Sequence, residues 1–571
     1  MFDNLPIRRI KNIIAIFLML MSLIFMWYVY TDDISYIAKQ QSDNYKSEAI
    51  EFGGNFNTNT STNTSGMQFR EEIEVEDEVE EEVEEDVYKH IEVSIWNFVK
   101  FGLCTILFGF VVAFMCVSKA QNEPFLDTFK KGISKVLLPV VTLILTIGLT
   151  TGYCVYIVSY VSKLNEEGEK QVKEEAKIKF DGVYKLEGEK NKKYKGTYKS
   201  IVSDESVFIV GNKASIQISE AVVDKSGIDC FNNIYSKNYG MNAAILAIEN
   251  GKADIKSSNV YSDTNGGTAL FATGKDAYIS GKNTKVVVLG NASAYAVATS
   301  YSGKVELEQM DMVTNGNECA VLMAGRSGGE ISIQDSALKS FGECAPIAHI
   351  RGTALLKNIN GESKESYVCS IENGGSIQID NSNIMAGMKG YNRNEDGLVI
   401  VKSESTDYEN RKPAIVSINN SVLQGRYDSD VYNEAAAFVI TNAETNINLK
   451  NTEIGVGSKI LFDLKAISGI GKPRKNGGHA SIITDSQKLV GFVKVDEDSS
   501  LKLKLTNGTG FVGGINYLNS GSEKVELSLD SSSRMILTTH CYLTKFENED
   551  QTNSNINFGR FKIFVNGKAI N

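Results

Sequence analysis

The sequence predicts an α-helical membrane module with three transmembrane helices, followed by an all-β domain folded as a right-handed parallel β-helix, which is a solenoid. Three observations lead to this prediction. Three apolar runs lie in the first third of the chain, and a short strand pattern recurs roughly every 25 residues after residue 200. The 571 residues also include 49 Gly but only 6 Pro, a composition typical of many tight turns between short strands.

The apolar runs 13–30, 95–117 and 136–161 are each long enough to approach or exceed the thickness of a bilayer core. Trp27 and Trp96, the two tryptophans of the chain, lie at run ends, where amphipathic rings prefer the headgroup level. The first run lacks a small-residue cleavage site, so an anchor that stays attached is favoured over a signal peptide. We therefore expect residues 1–30 to be a tail and first helix, 95–161 a transmembrane hairpin, and the lipid bilayer a partner.

Positive charges predict the orientation of this module. Arg8, Arg9 and Lys11 precede the first run, and four lysines lie between 118 and 135. Because such loops face the cytoplasm, residues 31–94 and everything beyond 161 are expected outside, which predicts a cell-membrane protein with an extracellular β-helix. Five lysines between 163 and 179 oppose this orientation, so the inverted topology stays open.

Charge and composition exclude several classes of partner. Residues 31–94 hold 18 acids and 4 bases and are expected to form an acidic and polar extracytoplasmic loop. No domain is strongly basic, so nucleic acid is not an expected partner. The 4 His and 8 scattered Cys offer neither a zinc framework nor a dense disulfide scaffold, and no metal or cofactor is expected. Residues 162–199 are rich in Lys and Glu and are expected to form a stalk.

The recurring pattern predicts the fold of residues 200–571. Each copy has two apolar residues flanking one other residue, then a small polar step, then a single apolar residue, as at Ile377-Gln-Ile379. A second apolar stretch starts at Ala244, Ala269, Ala320 and Ala345, with separations of 25, 51 and 25 residues. One turn cannot bury its own apolar face, so similar turns must stack in parallel. An antiparallel sandwich is the alternative, but it requires hairpins and no such period.

Cys319, Cys344 and Cys369 are also spaced by 25 residues. This spacing predicts that they stack on neighbouring turns as a buried ladder. Side chains in such a stack run parallel rather than facing each other, so an unbridged ladder is the favoured interpretation.

The segments DESVFIVGNKASIQISEAVVDKSG (204–227) and GMNAAILAIENGKADIKSSNVYSD (240–263) resemble the opening turns of adhesin-like surface β-helix proteins of bacteria and archaea. That family is often labelled carbohydrate-binding by analogy. The resemblance covers about 200–571 and implies the fold and display at a cell surface, but no catalytic residues. The three-span module departs from it, since a secretion signal is usual there.

The candidate ligand-binding residues lie in insertions that enlarge the turns between residues 388 and 434. Solenoid insertions emerge on one face and often bind partners, and Tyr and Arg are favoured at recognition sites. The set is Tyr391, Arg393, Tyr408, Arg411, Arg426, Tyr427 and Tyr432. A second loop, 469–479, carries Lys472, Arg474 and Lys475 and is a candidate for touching an anionic polymer. Tolerated surface loops are the alternative for both.

No catalytic constellation is visible in the sequence. His349 and Arg351 are interpreted as a structural pair, and Asp496–Asp498 as a solvated turn with only weak likeness to a calcium loop. The favoured hypothesis is therefore a membrane-anchored surface protein that binds a glycan or another surface polymer without catalysis. The alternatives are a polysaccharide lyase or hydrolase of the β-helix type, and a cytoplasmic, membrane-attached scaffold.

Overall fold

The structure, a computed structural model, describes residues 23–30, 55–57, 74–76, 99–106, 108–109, 144, 146–163, 179–231, 233–325, 327–403 and 412–571. The chain divides into two compact units. The first contains Met1–Glu48 and Val83–Ala176, and the second contains Ala49–Glu82 and Lys177–Asn571.

The first unit is helical at 23–30, 99–106 and 146–163. The rings of Phe101 and Tyr153 stack with centroids 3.7 Å apart, and the hydroxyls of Thr105 and Thr150 are 2.8 Å apart. Within the described ranges, no helix combines the length and the apolar character needed to cross a membrane. Much of the expected spans 13–30, 95–117 and 136–161 lies outside the described residues.

The second unit consists of coils of short strands that stack in two long parallel sheets. Sheet A has fifteen described strands. They are Asp181–Glu187, Glu205–Gly211, Ile245–Ile248, Leu270–Thr273, Val297–Ser300, Leu322–Ala324, Ala348–Ile350, Cys369–Glu372, Gly397–Lys402, Ala436–Thr441, Ile460–Leu464, Lys488–Val495, Gly510–Ile515, Arg534–Leu537 and Ile556–Asn557.

Sheet B has 22 described strands, and most coils between residues 252 and 455 contribute two of them. They are Lys192–Ser200, Ser215–Ser226, Lys252–Lys256, Asn259–Asp263, Tyr278–Lys282, Lys285–Val288, Lys304–Glu308, Asp311–Thr314, Glu330–Gln334, Ala337–Ser340, Thr353–Lys357, Asn360–Ser363, Ser376–Asp380, Asn383–Ala386, Ala414–Asn419, Val422–Gly425, Ala443–Lys450, Glu453–Gly455, Gly478–Asp485, Ser500–Thr506, Lys524–Leu529 and Lys545–Asn548.

The remaining elements are short. Asn55–Asn57 pairs antiparallel with Glu74–Glu76. Near the C-terminal end of the β-helix, Cys541–Leu543, Ile563–Val565 and Lys568–Ala569 form a three-stranded sheet. Residues Asn233–Tyr239 form an α-helix and Arg393–Glu395 a 3-10 helix.

Strand register confirms that successive copies of the sequence pattern are stacked coils. Ile331 aligns with Ala354 and then with Ile377, always in parallel. Inward side chains of the two sheets form one continuous apolar core. The parallel β-helix is therefore confirmed, and the antiparallel sandwich is excluded for residues 181–557.

The small polar step of the sequence pattern is the corner between the two sheet B strands of a coil. Asn381 has a φ of 49°, in the left-handed region that Asn tolerates well. Next to it, Ser382 Oγ donates to the carbonyl of Asp380 at 2.8 Å and accepts from the N–H of Ile359 in the preceding coil at 3.0 Å. The N–H of Ser382 donates in turn to Ser421 Oγ in the following coil at 3.1 Å. The corner thus joins three coils by hydrogen bonds.

The same corner recurs along sheet B. Hydroxyls that donate to the carbonyl two residues earlier belong to Ser258, Thr284, Ser336, Ser382, Ser421 and Thr452. Corner residues with positive φ are Ser257, Asn283, Gln309, Asp335, Asn358, Asn381, Asn420 and Asn451.

A second corner, between sheet B and sheet A, uses asparagine side chains and glycine backbones. Asn265 Oδ1 accepts from the N–H of Asn291 at 2.8 Å, and Asn291 Oδ1 accepts from the N–H of Asn317 at 2.9 Å. Beside this ladder, a Cβ on Gly316 would lie 1.9 Å from the carbonyl oxygen of Gly290. Adjacent coils therefore approach more closely here than any side chain permits.

The prediction of a cysteine ladder is wrong. Cys369 aligns with Ala348, and Ala348 with Leu322, so these coils are 21 and 26 residues long rather than a constant 25. Cys319 instead places its Sγ 3.3 Å from the carbonyl oxygen of Gly290. Cys319, Cys344 and Cys369 are all free thiols.

The β-helix begins at Asp181, inside the segment 162–199 that the sequence suggested as a stalk. Tyr194 and Tyr198 of the first sheet B strand pack against Phe208, with ring centroids 4.9 and 5.1 Å apart, and this cluster covers the end of the core. Lysines occupy outward positions of that strand. They give the segment its charged composition and obscure the alternation of inward tyrosines with outward polar residues.

We predict that Gly316→Ala lowers the free energy of unfolding by about 3 kcal/mol, because the added methyl group meets rigid backbone. Gly510→Ala is the matched control, since a Cβ there meets no atom within 4 Å, and its effect should stay within about 0.5 kcal/mol. Chemical denaturation of the full chain measures both. Equal stability of the two variants would contradict the close stacking of coils at Gly316.

Candidate functional site

A cleft of 1020 Å³ opens over sheet B where its strands lengthen. Its floor crosses four neighbouring strands, because Glu444, His479, Ser500 and Lys524 align with one another in register. A second column of outward side chains on the floor runs through Asn446, Ser481 and Lys502. The parallel register thus arranges charged and hydrogen-bonding groups in rows along the direction in which coils stack.

Loops that precede these strands form the rim of the cleft. Arg474 of the basic loop 469–479 lies on the rim, as do Glu497, Asp498 and Glu523. The neighbouring Asp496 fixes the rim, since its carboxylate accepts from the N–H of Ala466 at 2.6 Å and from that of Asp498 at 3.2 Å. Asp496 therefore stabilises the loops. Nowhere in the described part of the chain do three or more His, Cys, Asp or Glu residues gather to hold a metal ion.

The charged groups of the cleft are not paired with one another. No ion pair within the described residues involves Glu444, Arg474, Glu497, Asp498, Lys502, Glu523 or Lys524. Just outside the cleft, by contrast, Lys450 and Asp485 form an ion pair at 3.2 Å. These seven charged side chains are therefore available to contact a ligand. The sequence analysis singled out the loop 469–479, which carries Arg474, and the turn Asp496–Asp498, but did not predict that they share one cleft.

The described members of the Tyr and Arg set that the sequence suggested, Tyr391, Arg393, Arg426, Tyr427 and Tyr432, lie elsewhere, on loops that lead into sheet A strands. Arg393 forms an ion pair with Glu434 at 3.2 Å, which joins two of these loops. Arg426 is held by Glu362 and Asp428.

The tyrosines of that set differ in exposure. Tyr427 is 83% exposed and Tyr391 is 52% exposed, whereas Tyr432 packs against the core. Tyr408 and Arg411 lie outside the described residues. The role of this set in binding stays a prediction.

A buried row of charges lies on the outer face of sheet A. Glu372 aligns in register with Lys402, and Arg351 directly follows the aligned strand of the preceding coil, so the charges on three successive coils alternate in sign. Arg351 donates to Glu372 at 2.6 and 2.9 Å, and His349 Nε2 lies 3.3 Å from the same carboxylate. The side chain of Glu372 is only 3% exposed. His349 and Arg351, interpreted from the sequence as a structural pair, are thus joined through a residue on the next coil.

Burial and charge shift the titration of this network in defined directions. Burial alone would raise the pKa of Glu372, but His349, Arg351 and Lys402 outweigh it and hold that pKa well below its usual range. For His349, burial dominates and lowers the pKa, although Glu372 opposes the effect.

The row of charges continues into the loop that carries Tyr391. Lys402 Nζ donates to Glu395 Oε2 at 2.8 Å, and Asn392 Nδ2 donates to Glu395 Oε1 at 2.6 Å. The ring centroid of Tyr391 lies 5.2 Å from Lys402 Nζ, within cation–π distance. Sequence reasoning missed this cluster because its members come from an insertion and a strand whose register only the fold defines.

We predict that His349 makes the stability of the fold depend on pH. Because the folded pKa is lowered, the unfolded chain takes up a proton first, and stability falls as the pH drops below about 6.5. The depressed pKa of Glu372 contributes stability that is lost only below about pH 4.3. Between about pH 8 and pH 5.5, the free energy of unfolding should therefore fall more for the wild type than for His349→Gln. Parallel curves from denaturation at each pH would contradict this assignment.

Comparison of the chain with protein-family models, with curated proteins and with solved structures gave no match. The resemblance to adhesin-like surface β-helix proteins therefore stays an expectation from the sequence.

Proposed function

We propose that this chain is a membrane-anchored cell-surface protein whose β-helix binds a glycan or another surface polymer without altering it chemically. The observation that carries the proposal is the row of polar and charged side chains across four stacked strands in the cleft over sheet B, in which Glu444, Lys502 and Lys524 form no ion pair among the described residues.

The layout of the cleft suits an extended ligand with a repeating structure. Each strand presents an outward polar or charged side chain at the same register position, and neighbouring strands are about 4.8 Å apart. The four strands therefore offer contacts over roughly 14 Å, which is long enough for several units of a polymer. A compact small molecule would use only part of this row.

The chemistry of the lining suits sugars that are recognised through hydrogen bonds and charge. Asn446, Ser481 and Ser500 supply hydroxyl and amide groups, and Lys502 and Lys524 supply several donors each. Stacking on sugar faces would instead involve the exposed rings of Tyr391 and Tyr427, which lie on the loops that lead into sheet A strands.

The exposure of the cleft carboxylates favours binding over catalysis. A general acid in a glycosidase needs a raised pKa, which burial in an apolar pocket commonly supplies. Glu444, Glu497 and Glu523 are all solvent-exposed. The polysaccharide lyase or hydrolase remains the alternative, and the appearance of new reducing or unsaturated ends on a bound glycan would support it.

Membrane anchoring and outward display rest on the sequence, through the apolar runs 13–30, 95–117 and 136–161 and through the lysines and arginines that precede the first run and lie between the second and third. Protease added to intact cells should then degrade the β-helix. Its survival would favour the inverted topology and the cytoplasmic scaffold.

The first strand of sheet B, Lys192–Ser200, disfavours a scaffold in which β-helices join end to end. Lys192, Lys193, Lys195 and Lys199 are exposed along this edge, and its pairing is irregular between Tyr194 and Gly196. Charged side chains and irregular pairing are the means by which edge strands avoid pairing with other chains.

We predict that the full-length chain binds immobilised glycans on an array, and that Lys502→Ala and Lys524→Ala each weaken binding to the strongest of them by about tenfold. A charge-assisted hydrogen bond contributes about 1.5–3 kcal/mol, and a tenfold change in affinity corresponds to about 1.4 kcal/mol.

Lys504→Ala is the matched control. Lys504 is exposed on the same strand, two residues beyond Lys502, and does not line the cleft. Its affinity should equal that of the wild type. Binding that is lost equally in all three variants, or that none of them weakens, would contradict recognition in this cleft, and binding to no glycan would contradict the proposal itself.

A further inference from the structure

We propose that Lys402 and Asn392 become joined by an intramolecular isopeptide bond, with Glu395 as the group that carries the protons. The proposal goes beyond binding in the cleft and does not depend on it. It rests on a buried lysine and an asparagine amide that share the two oxygens of one carboxylate.

The geometry places both reacting groups on Glu395. Lys402 Nζ is 2.8 Å from Oε2, and Asn392 Nδ2 is 2.6 Å from Oε1. A second carboxylate, Glu372, lies farther from Lys402 Nζ, at 3.9 Å, and already accepts hydrogen bonds from Arg351. Glu395 is therefore the partner that connects the amine to the amide.

The lysine and this carboxylate form a pair that is shielded from water. The side chain of Glu395 is 4% exposed and that of Lys402 is 10% exposed. Two opposite charges removed from water lose most of their hydration. Moving one proton from Lys402 Nζ to Glu395 converts the ion pair into a neutral amine and a neutral acid, and the amine then has a free lone pair.

The reaction that follows balances without any other reactant. The lone pair of Lys402 Nζ attacks Cγ of Asn392, and the carbonyl π electrons move to Oδ1. Glu395 donates its proton to Nδ2 and takes one from Nζ. The Cγ–Nδ2 bond then breaks, so one amine and one primary amide give one secondary amide and one ammonia. No oxidation or reduction occurs.

A second hydrogen bond holds the side chain of the asparagine. Asn392 caps the 3-10 helix Arg393–Glu395, and its Oδ1 accepts a hydrogen bond from the N–H of Asn394 at 3.0 Å. This donor polarises the carbonyl group and stabilises the oxyanion that forms on Oδ1. The preceding residues are also fixed, since the N–H of Gly390 donates to Asp396 at 2.8 Å. Such fixed geometry lowers the entropic part of the barrier.

The bond would fasten the loop that carries Tyr391 onto the sheet A strand Gly397–Lys402. An insertion in a solenoid is held mainly by contacts with its own coil and the neighbouring coils. A covalent link between residues 392 and 402 would keep this loop in place even when the surrounding hydrogen bonds open.

The test is the mass of the purified full-length chain under denaturing conditions, followed by digestion with trypsin. The expected mass is lower than that of the sequence by one molecule of ammonia. The expected digest contains a branched peptide, in which residues 390–393 are attached to residues 394–411 through Lys402, because trypsin cleaves after Arg393 but not after an acylated lysine. A mass equal to that of the sequence would overturn the proposal.

Two variants and one control locate the reaction. Glu395→Gln removes the proton carrier, and Lys402→Arg removes the nucleophile while it keeps the positive charge, so both should show the full sequence mass. Lys389→Arg should still lose ammonia, since Lys389 pairs with Glu365 at 3.0 Å and is not part of the cluster. Ammonia loss that persists in Glu395→Gln and Lys402→Arg, or that maps to an Asn-Gly sequence, would contradict the assignment.

Discussion

The corner between the two sheet B strands of each coil is the constraint on which the rest of the structure depends. A residue such as Asn381 takes a positive φ, and the hydroxyl of the following Ser382 connects its own coil to the one before it. Because the hydroxyl must meet a backbone N–H at the same position in each neighbouring coil, coils stack without slipping. Coils with such corners can differ in length, provided that the extra residues form loops that project from the stack at other positions.

Because the register is fixed, outward side chains at the same position of successive coils form columns. The clusters of polar and charged side chains described above belong to such columns. In the cleft, polar and charged groups that are far apart in the chain form rows across four strands. On the outer face of sheet A, Arg351, Glu372 and Lys402 alternate in sign. Like charges opposite each other on neighbouring strands repel, and burial would make that repulsion severe, so the alternation is required wherever such a column is covered by loops.

The sequence predicted the structural features that recur in every coil. It did not predict the features that depend on differences between coils. The pattern around Ile377 and Ser382 encodes inward side chains and a corner, and both are local. The prediction of a cysteine ladder was wrong because the coil from Ala348 to Cys369 is 21 residues long. The 25-residue spacing of the cysteines in the sequence does not reveal that this coil is shorter. The cluster around Glu372 was invisible because its partners come from three coils. The first strands were hidden because outward lysines dominate their composition.

Distances between spin labels on one outward column test the stacking of coils most directly. Ser280, Ser332, Gln378 and Ser417 belong to one such column. A label at position 280 should be about 10 Å from one at 332, about 19 Å from one at 378 and about 24 Å from one at 417, since each coil adds about 4.8 Å. Backbone separations that rise by one strand spacing per coil are the predicted result. Separations that do not increase with the number of intervening coils would contradict the account.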